Sequence, residues 1–265
     1  MGGVASNAGA AADGSRMIEI RHLAKSFGDL RVVEDASFVA RDGEITGLIG
    51  PNGAGKTTMF RLICTVLRPD RGQTLIDGID SQKDPLAARR RLGVMADNRV
   101  LYTRLTAREH IRYFGELHGL DRAELTARID DLVETLRMED FIDRRAKGFS
   151  RGQQMKVVFA RALVHRPQNI MLDEPTNGLD VGTSRSVREL LRRLRGEGRC
   201  ILLTSHIMQE VAALADRIVV LAGGTIVLQG TPAELRRATG LRDLEEIFMA
   251  ATQGLPAEPA FAAGE

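Results

Sequence analysis

The sequence predicts an α/β fold with a mainly parallel core sheet covered by helices, and three observations carry that prediction. A glycine-rich turn over Gly50–Gly55 passes directly from a β-patterned segment into a helix-patterned one. A long stretch of helix formers runs from Leu105 to Lys147. After it, short apolar runs recur with helical stretches between most of them, the pattern of strands buried on both faces.

The elements follow in order. Ile18 to Leu23 alternates apolar and polar residues as a half-buried strand does, and Val32 to Phe38 and Glu44 to Ile49 continue in the same style. From Lys56 to Leu67 the residues Met59, Phe60, Leu62, Ile63, Val66 and Leu67 recur at helical spacing, which predicts a helix over the whole span. Within the next region Ile111, Phe114 and Leu117, then Ile129, Leu132, Val133 and Leu136, make apolar stripes of a helical insertion. Ile170 to Leu172, Ile201 to Thr204, Ile218 to Leu221 and Thr225 to Leu228 are the later strands. Arg89 to Arg91 and Arg192 to Arg195 sit among leucines at helical spacing and read as solvated helix faces.

Composition narrows the function classes. A chain of 265 residues with 43% hydrophobic content can bury a full core, yet no apolar run approaches the roughly 20 residues of a membrane-spanning helix. The formal net charge of +2 lacks the basic excess of a nucleic-acid-binding domain, so no nucleic acid partner is expected. Cys64 and Cys200 have no CxxC spacing and no histidine cluster beside them, which fits a reduced cytoplasmic setting rather than a metal site. Residues 1–16 lack a basic n-region and an apolar core, and read as a disordered leader instead of a secretory signal. The Ala-, Pro- and Gly-rich tail beyond Thr252 is expected to fray.

Gly50-Pro51-Asn52-Gly53-Ala54-Gly55-Lys56-Thr57 satisfies GxxxxGK[ST] at every fixed position and lies between a strand and a helix, the context the pattern requires. Glycines without Cβ atoms let backbone N–H groups surround phosphate oxygens, and the following helix adds its dipole. Lys56 then neutralises β and γ phosphates, the Thr57 hydroxyl ligates Mg²⁺, and Thr58 closes the ATP-binding set. A turn that merely joins strand to helix has no need of Lys followed by Thr. Farther along, the strand Asn169-Ile170-Met171-Leu172 ends in Asp173-Glu174. Alone, such a pair reads more readily as a helix cap; beside a phosphate loop, Asp173 is placed to hold Mg²⁺ and Glu174 to act as general base toward the attacking water.

Phe149-Ser150-Arg151-Gly152-Gln153 resembles the LSGGQ signature of ABC ATPases, and it precedes Asp173-Glu174 as in that family. Asn177-Gly178-Leu179-Asp180 is similar to the D-loop, His206 to the switch histidine, and Phe27 in Lys25-Ser26-Phe27-Gly28 to the aromatic that stacks on adenine. The resemblance spans Met17 to Gly230. It implies a P-loop NTPase with an antiparallel β subdomain and an α-helical signature subdomain at about 98–160, within an ATPase domain over 17–240, followed by a short C-terminal helix and tail over 241–265. It further implies that Ser150, Gly152 and Gln153 of one copy meet the γ-phosphate bound by another in a head-to-tail, ATP-bridged dimer. Asp180 then connects the two sites and His206 donates to the γ-phosphate.

Two positions depart from the family pattern. Asp97 stands where most relatives carry a glutamine that senses Mg²⁺ and the membrane partner, and Arg151 replaces a signature glycine. An acid at position 97 binds metal more strongly but, ionised, donates no hydrogen bond. Leu101 to Ile111 and Asp243 to Phe248 resemble ABC-2-type exporter ATPases of the sodium-extrusion type. The expected partners are transmembrane permease subunits and a second copy of the chain, at the inner face of the cell membrane, with Na⁺ or drugs among the expected cargo classes. The groove near Asp97, Tyr102, Tyr113 and Phe114 is the expected docking surface. A soluble ABC ATPase acting on a ribosome or nucleic acid is the competing reading.

Overall fold

A computed structural model describes residues 17–96 and 100–253. The chain opens with an antiparallel hairpin, β1 (Met17–Phe27) and β2 (Leu30–Arg41), then β3 (Ile45–Ile49), α1 (Lys56–Ile63), β4 (Arg71–Ile76), β5 (Ile79–Asp80), α2 (Pro85–Arg90) and β6 (Leu92–Met95). Three helices follow: α3 (Ala107–Leu117), α4 (Arg122–Leu136) and α5 (Arg151–Leu163). The remainder is β7 (Asn169–Asp173), α6 (Val181–Gly196), β8 (Cys200–Ser205), α7 (Met208–Leu214), β9 (Arg217–Ala222), β10 (Thr225–Gly230), α8 (Pro232–Thr239) and α9 (Leu244–Gln253).

All ten strands among the described residues form one sheet in the order β5-β4-β1-β2-β10-β9-β3-β8-β7-β6. From β9 to β6 the pairs are parallel, and β1, β2, β4 and β5 pair antiparallel, so the expected mainly parallel core with an antiparallel β region is present. Every residue of β3, β7 and β8 is buried, as parallel strands covered on both faces must be. Alternation splits their side chains between two cores. Ile45, Ile49, Ile170, Leu172, Ile201 and Leu203 join the core under α3–α7, and Leu48, Met171, Cys200 and Leu202 join that under α1 and the hairpin.

Two helix expectations need correction. α1 stops at Ile63, not Leu67, because Thr65 takes a left-handed backbone (φ 61°) and the Val66 and Leu67 N–H groups both donate to the Arg61 carbonyl. Val66 therefore points to solvent, and its apolar spacing carried no core information. The Leu105–Lys147 insertion carries its two stripes on α3 and α4 but is not helical to its end. It breaks at Gly119 (φ 80°), and past Arg137 (φ 53°) it becomes turns whose Phe141, Ile142 and Ala146 fill the core. The returning strand-like segment is fixed when the Ala146 N–H donates to the Leu105 carbonyl at 2.8 Å.

Where α3 and α5 end, His118 stacks on His165 with ring centroids 3.5 Å apart and planes 7° from parallel. His165 Nε2 faces the Leu92 carbonyl at 3.1 Å and must be the protonated nitrogen, since a carbonyl only accepts. Burial, with His118 and Arg128 nearby, pushes the His165 pKa down to about 4. The folded value lies below the unfolded one near 6.5, so the unfolded chain binds more protons between these limits, and stability present above pH 6.5 is lost as pH falls toward 4. The expected loss at pH 5 is on the order of 2 kcal/mol. Urea melts at pH 7 and pH 5 of the parent and of His165→Gln measure it; an equal acid loss in both assigns the sensitivity elsewhere.

Candidate functional site

The sheet order places β8 between β3 and β7, so the carboxyl ends of three parallel strands adjoin. With neighbouring strands ~4.8 Å apart, the loop after β3 and the acids after β7 lie about 10 Å from each other, on the edge where such sheets hold ligands.

The loop's glycines answer to close contacts. A Cβ at Gly50 would lie 2.2 Å from the Leu221 carbonyl oxygen, and one at Gly55 would lie 2.7 Å from the Val32 carbonyl oxygen. Gly53 and Gly55 also have φ of 81° and 102°. Gly55 caps α1 without a side chain, and the first turn has no acid, so the N-terminal N–H groups keep their donors for an anion. Lys56 Nζ folds back and donates to the Gly50 carbonyl at 2.6 Å and the Pro51 carbonyl at 3.1 Å. Burial lowers its pKa, and the charges of Glu174 and Asp173 work against that shift, placing both carboxylates within electrostatic reach of the amine. Thr57 is exposed at the loop's open side, and Thr58 is half-buried.

Asp173 ends β7 almost fully buried, and its Oδ1 accepts from Thr204 Oγ1 at 2.5 Å. Glu174 has a left-handed backbone (φ 50°), an unfavourable state for a non-glycine residue that is held by its N–H donating to the Thr204 carbonyl and Oγ1, each at 3.2 Å. The turn brings Glu174 Oε2 to 2.8 Å from His206 Nδ1, just after β8. Thr204 thus positions both acids, and sequence reasoning assigned it no role beyond a strand. The available signal was a hydroxyl following four apolar residues in a fully buried strand, where it, like Ser205 after it, must find a polar partner. A second unforeseen tie is the hydrogen bond from Thr176 Oγ1 to the Glu210 carboxylate, which joins the turn after β7 to α7.

Phe27 closes the β1–β2 hairpin, 47% exposed, with Lys25 Nζ 5.6 Å from its ring centroid. Because the Val32 carbonyl abuts Gly55, the same hairpin lies against the phosphate loop. Phe27 therefore shares the neighbourhood of that loop.

Ser150, Gly152 and Asp180 form a separate constellation. Ser150 caps α5 in a reciprocal box: its Oγ accepts from the Gln153 N–H at 3.2 Å, and its own N–H donates to Gln153 Oε1 at 3.1 Å. The box commits the Ser150 and Gln153 N–H groups and leaves the Ser150 hydroxyl hydrogen and the Arg151 and Gly152 N–H groups outside it. A Cβ on Gly152 would meet Thr183 Oγ1 at 3.3 Å, and the Arg151 guanidinium reaches Gly178, where a Cβ would lie 2.8 Å from it. Asp180 caps α6, accepting from the Thr183 N–H at 2.9 Å and Oγ1 at 2.6 Å. The signature residues pack on the Gly178–Thr183 segment of their own chain. Asp97 lies outside the described residues.

Known proteins share this sequence family and this fold. A family model described as ABC transporter matches residues 33–177. The chain is 42% identical over 238 residues to the ABC transporter ATP-binding protein NatA of Bacillus subtilis, covering 88% of this chain and 97% of that one. It is 34% identical over 229 residues to the daunorubicin resistance ATP-binding protein DrrA3 of Streptomyces coeruleorubidus, covering 86% and 72%. Among solved structures, an ATP-binding subunit of an ABC transporter superposes with a TM-score of 0.83 at 32% identity, covering 89% of this chain and 99% of that one. A dimeric ATP-binding cassette in a post-hydrolysis state with ADP and Pi gives 0.74 at 25% identity, covering 81% and 98%. The chain belongs to the ABC transporter family, as an ATP-binding subunit and ATPase. No helix among the described residues is long and apolar enough to cross a membrane.

Proposed function

We propose that this ATPase works as a head-to-tail pair that drives export through a separate membrane-spanning permease, at the inner face of the cell membrane. The observation that carries the chemistry is the Glu174–His206 contact at the adjoining ends of β7 and β8, one strand from the phosphate loop. Backbone N–H groups from Gly50 to Thr58 cradle the phosphates of ATP, Lys56 leaves the loop carbonyls for the β and γ phosphates, and Phe27 stacks on adenine. Glu174 takes the proton of the attacking water as the bond between Pγ and the bridging oxygen breaks, releasing ADP and phosphate. His206 gives its Nδ1–H to Glu174 and leaves Nε2 as the nitrogen on the side of a γ-phosphate oxygen.

Thr57 and Asp173 suit Mg²⁺, which keeps several waters and takes only one or two protein oxygens besides phosphate. Thr204 occupies Asp173 Oδ1 and leaves Oδ2 for that role. When bound, the ion offsets the charge of the transferring phosphoryl group. Ser150, Gly152 and Gln153 of a second copy complete each site, with Asp180 beside the junction. The dimeric form of the solved relative supports this arrangement.

A groove of about 490 Å³ lined by Tyr102, Leu105 and Tyr113 supports permease docking. Tyr102 and Tyr113 are 63% and 46% exposed, whereas Phe114 is packed inward under the Arg161 guanidinium at 4.0 Å, so it leaves the docking set. Tyr113→Ala is expected to abolish transport with basal ATPase activity and melting temperature unchanged. Retained transport would move the docking surface elsewhere. Purification from detergent-solubilised membranes of the native host, with mass spectrometry of bound proteins, tests the whole reading: a near-stoichiometric protein with several membrane spans supports it, and ribosomal proteins alone replace it with the ribosome-acting alternative.

A further inference from the structure

A cleft of about 450 Å³ opens between α5, α6 and the last turn of α4. None of its lining residues belongs to the phosphate loop, to Asp173-Glu174 or to His206. Its floor is apolar and built into the core, from Leu136, Met155, Phe159, Val187 and Leu190. The volume falls in the range of about 300–1,000 Å³ typical of small-molecule sites.

Cations outnumber acids at the rim, Arg137, Lys156 and Arg193 against Asp180 and Glu189. Asp180 keeps its charge at the α6 end, held by the neutral Thr183 donors, and Glu189 pairs with Arg185 at 3.0 Å. Arg193 is also committed, to Glu197 at 3.1 Å and to Thr135 Oγ1 at 3.3 Å, which ties α6 to α4 across the mouth. Lys156 is not neutralised. Its Nζ donates to the Arg137 backbone carbonyl at 2.9 Å, and Glu139 and Asp140 act on it only at longer range. Burial lowers its pKa, and the Arg137 side chain adds a second positive charge beside it. The Lys156 Nζ also lies 5.9 Å from the centroid of the Phe141 ring, outside the cleft lining. An ammonium on a residue at the rim of a buried apolar floor, with no carboxylate in contact among the described residues, complements a ligand that is apolar along its body and anionic at one end.

We propose that this cleft binds a small amphipathic organic carboxylate, its body against Met155 and Phe159 and its head on Lys156. A cation of the same shape would meet Arg137 and Lys156 as like charges. The cleft shares no residue with the phosphate loop, yet Asp180 lines it and it touches both the helix that begins at Ser150 and the helix that Asp180 caps, so an occupant sets their spacing.

The test uses the full chain labelled with ¹³C at its nine methionine methyl groups, the Met155 resonance being assigned through Met155→Leu. Titration with 2-naphthoate is expected to move that resonance saturably, while 2-naphthylmethylamine leaves it in place. Lys156→Met, which removes the charge and keeps an unbranched apolar stem one atom shorter, is expected to weaken binding about tenfold or more, the scale of one charge-assisted hydrogen bond. Ser186→Phe, an exposed change at the rim, is expected to fill the cleft and abolish the shift in a chain that still melts normally, which keeps the test independent of how Lys156→Met folds. An unmoved Met155 resonance at several millimolar naphthoate overturns the site. An equal response to the amine, or an unweakened Lys156→Met, overturns its charge selectivity.

Discussion

Glu174→Gln is expected to lower ATP turnover by roughly 10²-fold or more, the scale of losing a positioned general base, with ATP binding retained. The substitution is close to isosteric. Its amide oxygen still accepts from His206 Nδ1, 2.8 Å from the carboxylate oxygen it replaces, and its backbone still donates to Thr204. The scaffold therefore survives, and what disappears is the ability to take a proton from water at neutral pH. Bound ATP that is not hydrolysed should hold two copies together, so light scattering with MgATP should report a dimer in the variant and its decay in the parent. Undiminished turnover would remove Glu174 from the proton transfer. A catalytically dead variant that stays monomeric would keep Glu174 as the base but count against the ATP-bridged pair.

Lys56→Ala is expected to act earlier, on nucleotide binding itself. A charge-assisted hydrogen bond is worth about 1.5–3 kcal/mol, which corresponds to roughly 10- to 100-fold in the dissociation constant for ATP. Within the protein, the substitution removes only the hydrogen bonds from Nζ to the Gly50 and Pro51 carbonyls, so the melting temperature should change little. Calorimetric titration with ATP measures the effect. Unchanged affinity would contradict the assignment of the loop to phosphate, whatever happened to turnover.

The two variants also separate the roles that one electrostatic environment couples. Glu174 and Asp173 both raise the Lys56 pKa against its desolvation, so the amine and the two acids act on one another before any phosphate arrives. Neutralising Glu174 withdraws part of that support and favours the approach of an anion, so ATP affinity in Glu174→Gln should not fall below the parent's.

Much of what is set within a few residues was legible in the sequence, although the local stop of α1 at Ile63 was not. The glycines of Gly50–Gly55, the helix opening at Lys56, the capped start of α5 at Ser150 and the acids closing β7 depend on local backbone conformation and on hydrogen bonds spanning a turn or less. Family likeness added the identity of the chemistry. The tertiary structure alone decided what depends on long-range pairing: that β8 stands between β3 and β7, that Thr204 holds both acids, and that Glu174 meets His206. It also decided which apolar residues count as core, turning Val66 and Tyr113 outward and Phe114 inward although all three lie on helix-like spacing. The physical reason is that periodicity fixes which residues share a face, while the packing of other elements fixes whether that face is covered.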